Sequence, residues 1–228
     1  MNKITKVLFG SKADLTEALK ERGARQLLRL GFITDVLFAL MIFQMFMFLP
    51  RPEMDHFDAT NLVQVLADSG VNYLLMAVGI VLILIYWNLN NLQFGNLEIT
   101  DSRHSTISIL QVFCLMIYLY FVRLDMQLGG LIIILQMESV FLALAGIFSV
   151  WSWHYAVKSG RVSNSLSQNE INSVYLKLMP EPIVSVLSFP FAWISPLAWT
   201  LAWLLLIPVT WLSKKLQARH LASKSDKS

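Results

Sequence analysis

Residues 71–87 read VNYLLMAVGIVLILIYW, seventeen consecutive positions without a charge, and runs of this kind recur along the chain. A helix of about 20 apolar residues crosses the ~30 Å hydrocarbon core of a bilayer. Inside that core every backbone polar group must be satisfied within the protein, which leaves helices as the solution for such runs. Long apolar runs predict spans at about 30–49, 71–89, 107–122, 128–150, 183–195 and 197–212. Composition agrees: 56% of the 228 residues are hydrophobic and 14% charged, against roughly 45–50% and 25% in soluble domains. The expected class is all-α, a polytopic membrane protein with six transmembrane helices and no soluble domain. Pro190 and Pro196 interrupt the last pair, and Pro208 is placed to kink the sixth helix.

The basic residues set the orientation. Seven Lys and Arg lie in residues 1–29, one in the second loop (Arg103), three in the fourth (Lys158, Arg161, Lys177) and five after Trp211. The outward loops carry only Arg51 and Arg123, while the first holds Glu53, Asp55, Asp58 and Asp68. Six spans with both termini cytoplasmic therefore put sixteen of eighteen basic residues inside, as the positive-inside rule requires. This distribution explains the net charge of +3 without a nucleic-acid partner; the expected partner is the lipid bilayer. Trp87, Trp151, Trp153, Trp193 and Trp211 fall near predicted helix ends, where indole rings favour the headgroup level.

Three segments follow: a cytoplasmic leader at 1–28, a six-helix domain at 29–212 and a polar cytoplasmic tail at 213–228. In the leader Leu15, Ala18, Leu19 and Arg22 share one helical face, so it is either an amphipathic surface helix or a simple topogenic charge block. The first apolar stretch begins too late and runs too long for a cleavable signal peptide. Cys114 stands alone, so no intramolecular disulfide forms.

Ionisable groups inside spans are costly and need partners. Asp35, with Thr34 beside it, lies one and a half turns into the first span. Arg29 is six residues away, poorly placed to pair within the helix. The polar patch Trp87, Asn88, Asn90 and Asn91 ends the second span at similar depth and offers indole and amide donors. Glu138, near the middle of the fourth span, reads either as an intramembrane cation or proton site or as a protonated acid hydrogen-bonded to a glutamine or Ser139. No enzyme grouping is present: His56, His104, His154 and His220 lack metal-ligand spacing, so neither a metal nor a cofactor is expected.

The run Arg29-Leu30-Gly31-Phe32-Ile33-Thr34-Asp35 followed by VLFALMIFQMFMFL resembles the first helix of the transmembrane protein 175 family, endosomal and lysosomal potassium channels with bacterial relatives. Arg29 and Asp35 keep the spacing of the family's Arg-x3-Phe-Ser-Asp signature, with Ile33 for Phe and Thr34 for Ser. The Trp87 region, the WSWHYAV stretch and the Pro-interrupted final helices are also similar. The resemblance implies a single-repeat bacterial type, assembled as a homo-oligomer, a tetramer favoured, in a prokaryotic plasma or inner membrane. It further implies that the first helix lines an ion path with an apolar constriction in place of a carbonyl filter. Carried over by position, Leu40, Phe43 and Met47 form the pore stripe, with Gln44 adjacent. Arg29, Thr34, Asp35, Trp87, Asn90 and Asn91 form a cluster holding the helices behind it, and potassium is the permeant ion. Phe43 stands where the family commonly has Thr, and asparagines replace the histidines after the Trp. Apart from the resemblance, the stripe reads as lipid-facing or packing surface. The alternatives to a potassium-permeable channel are a non-conducting membrane protein of the same fold, acting in interaction or signalling, and a proton-coupled transporter using Glu138 and Asp35.

Overall fold

The computed structural model describes residues 12–47 and 70–225. Four long helices open the fold: α1 (Lys12–Met47), α2 (Gly70–Gly95), α3 (Ser102–Leu128) and α4 (Ile132–Lys158). Shorter pieces follow: α5 (Gln168–Leu178), α6 (Pro180–Ser188), a 3-10 turn (Phe189–Trp193), α7 (Pro196–Ala202), a second 3-10 turn (Trp203–Leu205) and α8 (Leu206–Ser225). Among the described residues the only extended pairing is an isolated antiparallel bridge between Leu97 and Val162.

Local chemistry sets the ends. The Asp101 side chain caps α3 by accepting from the His104 amide. At its other end Gly129 (φ 68) and Gly130 (φ 78) take the left-handed conformation that side chains resist, which turns the chain directly into α4. Ser167 and Glu170 form a reciprocal capping box on α5. Pro180 opens α6, and Ser195 caps α7 ahead of Pro196; a missing N–H costs nothing in a first helical turn.

Five segments are long and apolar enough to cross a membrane: Thr16–Met47, Met76–Gly95, Ser102–Leu128, Ile132–Lys158 and Pro196–Lys215. The expected span at 183–195 is no continuous helix. It divides into α6 and the 3-10 turn holding Pro190, and nine α-helical residues cover only about 14 Å. Pro208 lies in the first turn of α8, and the residue four before it, Leu204, falls in the 3-10 turn that joins α7 to α8, so the α-helical path changes geometry ahead of the proline while one apolar span, Pro196–Lys215, continues through it.

Two expected boundaries disappear. Residues 12–28 continue into α1 without a break, so the leader is no separate helix there. Ala18, Leu19 and Arg22 on its expected apolar face are exposed; what anchors it is the close approach of Gly23 to Ile99 and a Lys20–Glu98 ion pair at 2.8 Å. Residues 213–225 of the expected polar tail extend α8. The acidic loop residues Glu53, Asp55, Asp58 and Asp68 lie outside the described residues.

The core follows helical spacing. Phe38, Met41 and Met45 of α1 lie on one stripe and pack with Leu82 and Ile83 of α2, Leu115 and Leu119 of α3 and Leu142 of α4. The α3–α4 hairpin is the most extensively packed helix pair, and α6 lies against α4. Trp153 departs from the expected interfacial role: it is fully buried and donates its indole N–H to the Ile171 carbonyl, while Trp151, Trp193 and Trp211 remain exposed.

Candidate functional site

α1 is two-sided. Leu30, Thr34, Phe38, Met41 and Met45 turn into the bundle, while Leu40, Phe43 and Met47 are 56%, 61% and 51% exposed. At 100° per residue the exposed positions from Phe32 to Met47 sweep about half the circumference of the helix. Among the described residues this apolar half is left uncovered, and Gln44 lies at its edge, also exposed.

The residues expected to tie α1 to α2 are only partly brought together. The Trp87 indole donates to Asp35 Oδ1 at 2.8 Å, bridging the two helices. Thr34 is buried, but its hydroxyl donates to the Leu30 and Gly31 carbonyls of its own helix and bridges nothing. Asn90 is also buried, and its Nδ2 has no partner; Asn91 and Arg29 are exposed, and Arg29 forms no ion pair with Asp35.

Glu138 is 2% exposed, and its Oε1 lacks a hydrogen-bond partner. Ser139 does not supply one. Its hydroxyl donates to the Leu135 carbonyl, meets Ser188 Oγ at 2.9 Å and accepts from the Trp199 indole at 2.8 Å. Glu138 instead shares its surroundings with other buried ionisable groups. Asp125 near the end of α3, Tyr118 on the same helix and Glu181 on α6 are all buried as well. The Tyr86 hydroxyl donates to Glu181 Oε2, and Ser185 donates to Glu181 Oε1 at 2.6 Å. A Cβ on Gly146 would collide with the Glu181 carboxylate and Pro182, so α4 admits α6 only because that position is glycine.

A second polar group closes the opposite end of the α3–α4 hairpin. The carboxylate of Asp101 accepts from the His104 amide (3.0 Å), the Tyr155 hydroxyl (2.9 Å) and Arg161 Nη2 (2.7 Å). Burial alone would push this carboxyl up, but those donors together hold it below the usual carboxylate range. Just inside it, His104 Nδ1 meets Thr100 Oγ1 at 2.8 Å and His104 Nε2 meets Ser152 Oγ at 3.0 Å. Sequence reasoning set His104 aside for want of metal spacing. The Asp-x-x-His pattern of an N-cap was the available signal for its position.

No family model matches the chain, and no curated protein is similar to it in sequence. In structure it is similar to the crystal structure of a lysosomal potassium-selective channel TMEM175 homologue from Chamaesiphon minutus. The identity is 16%, the TM-score 0.69, and the match covers 83% of this chain and 98% of that one. It is also similar to a threonine-to-alanine variant of the potassium channel MtTMEM175, crystallised with a nanobody–MBP fusion. There the identity is 15%, the TM-score 0.62, and the coverage 84% and 93%. Together with the resemblance carried by residues 29–40, these likenesses give the architecture: the chain has the TMEM175 channel fold.

Proposed function

We propose that this protein is the subunit of a potassium-permeable cation channel, a homo-oligomer and most simply a tetramer, with both termini on the cytoplasmic side of a cell membrane. The observation that carries the reading is the pairing of a fold like those of potassium channels with an α1 whose uncovered half is apolar. Around a central axis, Leu40 would form the constriction, with Phe43 and Met47 beyond it. A ring of apolar side chains a few ångströms wide expels water, so a hydrated cation meets a barrier without any fixed charge. The Trp87–Asp35 bond holds α1 against α2 and so steadies that ring. Purified protein in potassium-loaded liposomes should pass potassium down its gradient above the protein-free level, and a tetrameric mass in detergent should accompany the flux. One feature favours a second reading, a non-conducting relative of the same fold. Phe43 places a bulky ring on the exposed stripe, and an oligomer without flux would establish that alternative.

A further inference from the structure

Away from α1, a cavity of about 280 Å³ opens where α2, α5 and α8 come together. Its apolar wall is made by Leu89 of α2, Leu176 of α5 and Pro180 at the start of α6. Its polar wall is made by Lys177, Thr210, Ser213 and Lys214. Lys177 lies in the last turn of α5, and Lys214 falls at the end of the apolar span Pro196–Lys215. The two ammonium groups therefore stand where the hydrocarbon ends. Trp211 marks the same level independently. Its ring is exposed nearly one turn before Lys214, and Lys215 Nζ lies 4.6 Å from its centre. Indole rings favour the headgroup region.

Neither lysine has an acidic counterpart. Among the described residues the ion pairs are Lys20–Glu98, Arg25–Glu21 and Arg161–Asp101, so no carboxylate neutralises Lys177 or Lys214. Two like charges on one cavity repel each other, and an anion between them reverses the sign of that interaction. The hydroxyls add a second constraint. Thr210 Oγ1 donates to the Leu206 and Ile207 carbonyls at 2.7 and 2.9 Å, and Ser213 Oγ donates to the Val209 carbonyl at 2.7 Å. A hydroxyl whose proton is committed to its own helix offers a ligand only acceptor lone pairs. The cavity thus presents cations for a phosphate and acceptors for a ligand that itself carries hydroxyl groups.

The dimensions fit a headgroup and not a whole lipid. At ~30 Å³ per water molecule the space equals about nine waters, room for a phosphate and a glycerol. Acyl chains would have to run outward, and an apolar track leads that way. Ile85 lies one turn before Leu89 on α2, and Ile207 lies nearly one turn before Thr210 on α8. Both are exposed, and both sit on the membrane side of the cavity. A free phosphate would use the lysines alone. The acceptor hydroxyls and the apolar track have a use only when the phosphate belongs to a lipid.

We propose that the α2–α5–α8 cavity binds an anionic phospholipid with a hydroxyl-bearing headgroup, of which phosphatidylglycerol is the type. The phosphodiester sits between Lys177 and Lys214, the glycerol hydroxyls donate to Thr210 and Ser213, and the acyl chains lie over Ile85 and Ile207. Basic pockets between membrane helices on the cytoplasmic side bind anionic headgroups in this way. α8 packs on α5 and α6, and a lipid held here adds a tie to the end of α2. The placement rests on the proposed orientation of the bundle and is independent of conduction.

The test uses the full chain, delipidated in detergent and titrated with phosphatidylglycerol under native mass spectrometry. Phosphatidylglycerol should bind more tightly than phosphatidylcholine. It should also bind more tightly than phosphatidylmethanol, which carries the same charge without headgroup hydroxyls. A lysine at the membrane surface contributes about fivefold to anionic-lipid affinity, so Lys177→Gln and Lys214→Gln should each weaken binding by about that factor and the double variant by about twentyfold. Lys177→Arg with Lys214→Arg keeps both charges and should keep binding. Lys158→Gln, an exposed cation away from the cavity, should leave it unchanged. Equal binding of phosphatidylcholine overturns the proposal, as does wild-type affinity in the double Gln variant or an equal loss in Lys158→Gln. Equal binding of phosphatidylmethanol overturns the hydroxyl contacts, and displacement of the lipid by inorganic phosphate overturns the lipid as occupant. Selective lipid binding by a protein that passes no potassium would leave this site standing and remove the channel reading alone.

Discussion

Asp35 and Asp101 are both carboxylates at the margins of the bundle, and the difference between them lies in their donors. Asp35 has one, the Trp87 indole, and is otherwise exposed. Hydrogen bonds to a charged group contribute about 1.5–3 kcal/mol at best, and less where solvent competes. Asp35→Ala should lower the melting temperature of the detergent-solubilised oligomer, and Asp35→Asn, which keeps an acceptor oxygen, should lower it less. Unchanged melting in both would show that the bridge contributes nothing. Asp101 has three donors and a folded pKa below its ordinary value. A lowered carboxylate pKa contributes stability that is present above the unfolded value of about 3.9 and lost as pH falls through the folded one. Asp101→Asn should therefore destabilise the protein by roughly 1–3 kcal/mol near neutral pH. That gap should narrow in melts run below about pH 4, and a gap independent of pH would refute the assignment. Gly146 has a steric role. Gly146→Ala drives a methyl into Glu181 and Pro182 and should cost about 1–3 kcal/mol through overpacking, read as a lower melting temperature.

Helices were legible where one physical signal dominates. The apolar runs gave the four long helices and their order, because inside a bilayer a chain has no cheaper way to satisfy its backbone. Their ends were read short, since hydropathy fades before the helix does. α2 continues through the polar residues to Gly95, and α3 begins at Ser102, just after its Asp101 cap and five residues ahead of the apolar run. α5 was missed although Ser167-x-x-Glu170 states its start plainly; its polarity hid it from a search for spans. Ser167→Ala should cost about 1 kcal/mol by removing that cap. The broken α6 was half legible, its prolines visible but the direction of its buried face not. The candidate site was less legible still. Asp35 and Glu138 stood out as charges in apolar runs. For Asp35 the Trp87 patch at similar depth was the expected source of donors, and the Trp87 indole does donate to it; the surroundings of Glu138 come from helices whose relative rotation no single run encodes.

At the scale of the whole molecule the deciding surface is the uncovered half of α1. Lipid covers it in a lone protomer; in the function proposed above, copies of the chain cover it around an axis. On that arrangement Leu40 dewets the path, and polarity at this ring should control flux with little effect on assembly, since the packing stripe Phe38, Met41 and Met45 lies on the opposite face. Leu40→Asn should wet the ring and raise potassium flux in liposomes at an unchanged elution volume. Phe43→Thr should raise it as much or more, because it both shortens the side chain and adds a hydroxyl. Leu84→Asn, on an exposed part of α2 away from that stripe, should leave flux at the wild-type rate. If Leu40→Asn and Phe43→Thr both stay at the protein-free level, α1 lines no conducting path, and its apolar half serves only to join protomers or to meet lipid.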